Sequence, residues 1–174
     1  MSVSELSTST QNYLKAIWGL KEWSSEPVTA TLIAKQLGLK LSSVSDAVRK
    51  MAKQGLVSHT PYGSVELTEL GRQYALVMVR RHRLLESFLV QALGYTWDEV
   101  HNEAENLEHA VSDMLIERVD KFLDYPTRDP HGDPIPTVDG QITIPSAHRL
   151  TDSGAQSQVT VERISDSDPQ LLKF

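Results

Sequence analysis

The chain has 174 residues, enough for one domain or two small ones. Hydrophobic residues make up 40% and charged residues 23%, a globular balance that excludes wholesale disorder. The lack of cysteine excludes a disulfide framework, a Cys-ligated zinc or iron–sulfur centre and a thiol nucleophile. No apolar run approaches the ~20 residues of a membrane span, and MSVSELSTST has no basic flank before an apolar stretch. A cytoplasmic protein with no membrane partner is therefore expected. The net charge of −6 is unevenly spread: residues 1–80 carry nine Lys/Arg against six Asp/Glu, and residues 81–174 carry eight against seventeen. A basic front suits an anionic partner and an acidic back suits cations.

Tyr13, Leu14, Ile17, Trp18 and Leu20 recur at helical spacing, predicting a first helix over 8–23. A second is expected over 28–37, closed by Gly38, and a third from Ser42 or Ser43 to about Gln54, with Val44, Val48 and Met51 inward. Residues 56–60 and 64–68 read as two short strands around Pro61-Tyr62-Gly63. Helical spacing then resumes at Thr68 and lasts to about Leu93, where Gly94 breaks it. Thr96-Trp97-Asp98-Glu99 has the capping-box pattern, so another helix starts there and runs, with or without a break, to Leu123. Prolines crowd between Pro126 and Pro145, which predicts an extended linker. Residues 159–164 alternate like a single strand, and 168–174 begin a helix.

Helix, glycine turn, helix and two-strand hairpin is the order of a winged helix-turn-helix. There the second helix of the pair offers its N-terminal side chains to the DNA major groove. The candidates are Lys40, Ser42, Ser43, Ser45, Asp46, Arg49 and Lys50, with Tyr62 at the tip of the wing. Hydroxyls bind phosphate or base edges, Asp46 can accept from cytosine N4, and Arg49 and Lys50 suit phosphates. The plain alternative is a three-helix core in which the serines are only caps.

A second constellation follows. His101, Glu105, Glu108 and His109 stand at i, i+4, i+7 and i+8, one stripe of a helix, and His82 and Glu86 are four apart on the helix before it. A short turn at Gly94 would bring the two helices face to face. Such a set repels itself unless a cation joins it, and hard oxygen with imidazole suits Mn(II) or Fe(II) and also admits Co(II) or Zn(II). The plain alternative is a solvated acidic face paired with Arg80, Arg81 and Arg83.

The chain resembles the diphtheria-toxin-repressor family of metal-dependent transcriptional repressors, most closely its manganese-responsive branch. The resemblance rests on residues 13–17, 43–45 with 55–57, 67–72, 81–86, 103–109 and Asp129-Pro130-His131-Gly132-Asp133-Pro134-Ile135-Pro136. It implies a mainly α fold: a winged helix-turn-helix DNA-binding domain over 1–73, then a helical dimerisation and metal-binding domain over 74–136. Residues 137–174 would be the proline-rich linker and the start of an SH3-like third domain, with Asp166 and Asp168 near its ligand positions. It also implies a homodimer on a two-fold DNA operator, and metal ligands at His82, Glu86 and His101 for one position and Glu105, Glu108 and His109 for the other. Glu105 stands where iron-responsive members carry cysteine, and hard oxygen in place of soft sulfur points to Mn(II). Asn12 occupies a first-helix ligand position usually held by Asp or Met, so its contribution would be a neutral amide oxygen. Lys15 replaces the Glu of some manganese regulators, so a closely spaced manganese pair is not expected.

The expected function is a metal-activated, DNA-binding repressor of metal-homeostasis genes. The rivals are an iron-responsive repressor of the same family, a winged-helix repressor sensing an organic ligand and, remotely, a di-metal carboxylate enzyme. The last usually draws a Glu-x-x-His motif from each of two helices, which this chain lacks. Neither a G-x-S-x-G motif nor a P-loop is present, so no enzyme is expected.

Overall fold

A computed structural model describes residues 3–60, 63–165 and Leu172. It separates into two compact units, Met1–Val79 and Arg80–Phe174.

The first unit opens with α1, Thr8–Glu22, capped where Thr10 N donates to Ser7 Oγ at 3.3 Å. Helix α2, Ala30–Leu37, begins two residues later than spacing alone predicts. The reason is Thr29, which holds extended backbone and accepts from Leu32 N at 3.3 Å, fixing the start. Thr29→Ala is expected to lower stability by about 1 kcal/mol, read as an earlier urea midpoint of the tryptophan fluorescence. Gly38 takes φ +64°, the left-handed exit that lets the chain turn directly into α3, Leu41–Lys53. Helix α3 starts at Leu41 rather than at a serine. Lys40 is its N-cap and makes no side-chain cap hydrogen bond, so Ser42 and Ser43 sit in the first turn and face outward.

Strands β1, Val57–His59, and β2, Val65–Leu67, pair antiparallel with Val57 opposite Leu67 and His59 opposite Val65. Val65 N also donates to Val28 O at 2.8 Å, tying the hairpin to the loop before α2. The core gathers Leu14 and Ile17 of α1, Ile33 of α2, Val44, Val48 and Met51 of α3, then Val57 and Val65, and closes with Ala75 and Met78. These are the inward positions that helical and strand periodicity select. Tyr62, the expected wing-tip contact, lies outside the described residues.

Helix α4, Glu69–Leu93, is 25 residues long, and the boundary between the units falls within it. In the second unit α5, Trp97–Leu107, starts at the expected capping box: Thr96 N donates to Glu99 Oε2 at 3.2 Å. The helical run then breaks. Glu108 is the C-cap of α5, and Ser112 caps α6, Asp113–Phe122, by accepting from Leu115 N at 3.2 Å. Leu84, Leu85, Leu89, Val100, Ala104, Ile116, Val119 and Ile135 form this unit's core.

Two expectations need correction here. The proline-rich stretch is not a solvated linker throughout, because Asp129, His131, Asp133 and Ile135 are all buried. Proline forbids helix but keeps its carbonyl acceptor. Arg83 donates to Pro134 O at 2.6 Å and Arg80 to Pro136 O at 2.7 Å, pinning the segment to α4. Residues 159–164 form no strand, since no neighbouring strand is present among the described residues to take up their backbone groups. The expected helix over 168–174, Leu172 apart, and Asp166 and Asp168 lie outside the described residues. No described helix is long and apolar enough to cross a membrane.

Candidate metal centre and DNA-reading helix

Helix α4 places His82 and Glu86 one turn apart, and α5 does the same for His101 and Glu105. All four converge. His82 Nε2 lies 3.0 Å from Glu86 Oε1 and 3.2 Å from His101 Nδ1, and the latter is 3.4 Å from Glu86 Oε1. On the other edge of its ring, His82 Nδ1 meets Glu108 Oε2 at 2.6 Å. Glu105 Oε1 stands 3.8 Å from His101 Nε2. Glu86 and Glu108 are fully buried, while His101 and Glu105 are partly open to solvent.

His109 departs from the expected stripe. Helix α5 ends at Leu107, so His109 is off the helix, with its Nε2 3.5 Å from Glu108 Oε1. Among the described residues, ligand atoms close within 4.8 Å of one another in three groups: His82, Glu86 and His101; His82, Glu105 and Glu108; and Glu86, Asp129 and His131. His109 is in none of them. Asn12 belongs to α1 in the first unit, where its side-chain oxygen is buried without a hydrogen-bond partner.

Periodicity misses the third group. His131 sits in a proline-rich turn, and its Nδ1 is 3.8 Å from Glu86 Oε2. Its other nitrogen, Nε2, hydrogen-bonds Trp97 O at 3.1 Å, and its backbone N–H donates to Asp129 Oδ1 at 2.9 Å. The available signal is the Asp-Pro-His-Gly-Asp-Pro run, whose aspartates and glycine specify a tight turn that holds the imidazole between them.

The buried charges of the cluster perturb one another strongly. Burial pushes the Glu86 carboxyl up, but the His82 charge and the close approach of the His101, His131 and His82 ring nitrogens outweigh it and hold Glu86 well below the usual carboxylate range. Asp129 is pushed up to about 7 by burial and by the neighbouring charges of Glu86 and Asp133. Burial lowers His131, yet the nearby Glu86 carboxylate, with the Trp97 carbonyl and the Asp129 charge, raises it to about 9. Arginines flank the cluster: Arg80 pairs with Asp120 at 2.6 Å, Arg81 with Asp113 at 2.5 Å, and Arg83 lies 3.7 Å from Asp129, a member of the third group, and 3.5 Å from Asp133.

Both oxygens of Glu86 and the Nδ1 of His131 are buried without a geometrically sound hydrogen bond. The Glu86 oxygens are orphaned acceptors at the centre of an imidazole and carboxylate cluster, which fits a divalent cation. The donor set is nitrogen and oxygen only, with no sulfur.

At the N-cap of α3 Lys40 is exposed, as are Ser42, Ser43, Asp46, Arg49 and Lys50 along the helix, while Ser45 is half-buried. Arg49 pairs with Asp46 one turn earlier, so the acid and the base occupy one patch of the outer face.

A three-helix unit with a hairpin, followed by a helical unit carrying a His/Glu cluster, defines a winged-helix protein with an attached metal-binding module. The N-terminal DNA-binding domain of the iron-dependent repressors matches residues 5–65, and the metal-binding and dimerisation domain of the same repressors matches residues 68–137. The iron-dependent repressor IdeR of Mycobacterium tuberculosis is 40% identical over 134 residues, covering 77% of this chain and 58% of the relative. The diphtheria toxin repressor of Corynebacterium diphtheriae is 36% identical over 137 residues, covering 79% and 60%. Among solved structures, a manganese-dependent transcriptional repressor in complex with manganese is 55% identical with a TM-score of 0.90, covering 94% of this chain and 75% of that one. The chain belongs to the iron-dependent, or diphtheria-toxin, repressor family. It spans about three-fifths of the length of the first curated relatives it matches. The family is one of DNA-binding repressors, which sets aside the di-metal enzyme.

Proposed function

We propose that the chain is a divalent-metal-activated transcriptional repressor that answers to Mn(II), binding as a homodimer to a two-fold DNA operator. The observation that carries this reading is Glu86: a fully buried, ionised carboxylate whose oxygens lack hydrogen bonds amid His82, His101 and His131. Similarity to a manganese-dependent repressor in complex with manganese supports the choice of metal. So does Glu105, which adds hard oxygen where sulfur would favour softer ions. Fe(II), Co(II) and Zn(II) remain chemically admissible ligand partners, and the iron-dependent relatives make Fe(II) the second reading.

In this proposal His82, Glu86 and His101 hold one ion and Glu105, Glu108 and His109 another, with Asn12 adding an amide oxygen. A bound cation supplies the positive charge that the converging carboxylates lack. The protein's own part is to aim the donors: His82 turns one nitrogen to Glu86 and the other to Glu108, joining α4 to the C-cap of α5. Lys40, Ser42, Ser43, Ser45, Asp46, Arg49 and Lys50 of α3, with Tyr62 of the wing, are proposed as the DNA contacts. The uncapped N–H groups at the start of α3 suit a phosphate. The working division is 1–73 for DNA, 74–136 for metal and dimerisation, and 137–174 as linker and the start of a third domain. Because DNA and metal binding are linked, each raises the affinity of the other by one common factor.

The test is selection from a random DNA pool, read by fluorescence anisotropy with Mn(II), with anaerobic Fe(II) and with chelator. A palindromic consensus with Mn(II) that chelator abolishes is the expected result. A consensus indifferent to chelator would overturn metal activation in favour of an organic effector, and one obtained only with Fe(II) would move the protein to the iron-responsive branch.

A further inference from the structure

The turn that carries His131 is covered by a piece of chain that the proposed function leaves unexplained. Residues 162–164 lie across it and grip it at several points. Ile164 N donates to His131 O at 2.9 Å. Arg163 Nη2 reaches Asp133 Oδ1 at 2.6 Å, with both side chains at most 10% exposed. Arg128, on the near side of the turn, donates to Glu162 O at 3.1 Å and pairs with the Glu162 carboxylate at 2.8 Å. Between these contacts is Gly132, at φ +88°, where an added Cβ would come within 2.2 Å of Glu162 O. The segment therefore touches bare backbone, and a larger residue in the turn would lift it away.

We propose that residues 162–164 form a strap that pre-shapes the turn, and that Arg163 is a positioning residue for the Glu86, Asp129 and His131 group. The proposal rests on the metal-binding reading above. His131 is fixed by its backbone N–H on Asp129, its carbonyl under Ile164 and its Nε2 on Trp97 O, which leaves Nδ1 to face Glu86. Fixing one imidazole nitrogen on a carbonyl is how proteins orient the other toward an ion. Arg163 acts one step further out. Asp133 and Asp129 are buried neighbours, and Arg83 lies between them at 3.5 and 3.7 Å. With Arg163 compensating Asp133 from the strap, Arg83 can stay shared. Without it, Asp133 draws Arg83 away from Asp129, and the hydrogen bonds closing the turn, Asp129 N to Asp133 O at 3.0 Å and Asp133 N to Asp129 Oδ1 at 2.9 Å, loosen together. The turn then has to be ordered when the ion binds, and affinity falls by that cost.

The experiment uses the full chain with Mn(II) as the probe, reading affinity by calorimetry and amide exchange at His131–Asp133 and Ile164. Arg163→Met, which keeps length and loses charge, is expected to weaken one Mn(II)-binding step about tenfold and leave the other in place, the size typical of losing a group behind a ligand. Arg163→Lys should recover most of the loss. Arg128→Ala, which frees Glu162 without touching Asp133, should produce a smaller weakening of the same step. By linkage, Mn(II) should also slow exchange at the Ile164 amide in the wild type and not in Arg163→Met. Mn(II) affinity within twofold of wild type, together with free exchange at Ile164, would overturn the strap while leaving the metal centre intact. So would equal weakening of every step along with a lower melting temperature, since that is a folding defect. A wild-type chain that takes up no Mn(II) would sink the metal reading, and the strap's role with it.

Discussion

Glu86→Gln is expected to remove the share of the Mn(II)-induced rise in melting temperature that comes from the ion held by His82, Glu86 and His101. At a free ion concentration 100 times the dissociation constant, binding to the native state alone adds about 2.7 kcal/mol. For a chain of this size that corresponds to roughly 5–11 °C. Glu86 belongs to two of the three convergent groups and is the only carboxylate among the described residues that faces His82, His101 and His131 together. Glutamine preserves its volume and one oxygen but removes the charge that attracts a cation. It also places an amide NH2 where an acceptor is needed. Loss of a group behind a ligand costs about 10–100-fold in metal affinity, so loss of this shared ligand should exceed that. Differential scanning fluorimetry with and without Mn(II) decides the matter. A shift in Glu86→Gln equal to that of the wild type would remove Glu86, and with it the proposed centre, from the metal site.

Much of that centre is legible in the order of the amino acids, and the part that is not has a physical reason. His82 with Glu86 and His101 with Glu105 repeat every four residues, and each pair sits on an unbroken helix, so helical geometry alone puts them on one face. Extending that rule past Leu107 assigns His109 to the same stripe. The rule fails there because Ser112 begins a new helix, and the chain must leave the old axis to reach it. His131 defeats periodicity altogether. Its neighbours are prolines, a composition that reads as solvated linker, and its approach to Glu86 depends on Arg80 and Arg83 catching proline carbonyls more than fifty residues away along the chain. Local pattern carries no information about such a contact. The alternation of 159–164 misleads in the opposite direction: the pattern fits a strand, but a strand needs a neighbour, and this segment instead grips a turn.

The winged-helix unit should show the opposite behaviour when Gly71 is replaced by alanine: DNA binding weakened with or without Mn(II), and Mn(II) uptake by His82, Glu86 and His101 kept. Helix propensity alone argues that this substitution stabilises, since Gly71 lies in the first turn of α4 and alanine gains up to about 1 kcal/mol in a helix. Packing decides otherwise. A Cβ on Gly71 would stand 1.9 Å from the backbone oxygen of Leu56, and neither a helix nor a buried strand root can yield by the distance required. That oxygen also accepts from Thr68 N and from Thr68 Oγ1, both at 3.1 Å. The same hydroxyl donates to Gly55 O at 2.7 Å and accepts from Gly71 N at 3.1 Å. One threonine thus clamps the start of β1 to the start of α4, and the missing side chain of Gly71 is what lets the two backbones meet. Overpacking costs about 1–3 kcal/mol and each broken hydrogen bond about 1 more, so a net loss of about 3 kcal/mol remains after the propensity gain. That is a large share of the stability of a small unit. Urea unfolding followed by tryptophan fluorescence, alongside Mn(II) calorimetry, separates the outcomes. A Gly71→Ala chain within about 1 kcal/mol of wild type would show that Leu56 can move aside, and the hairpin would then not be held by this contact. Gly38 makes a useful control for crowding, because a Cβ there meets nothing within 4 Å and the penalty would come from its positive φ alone.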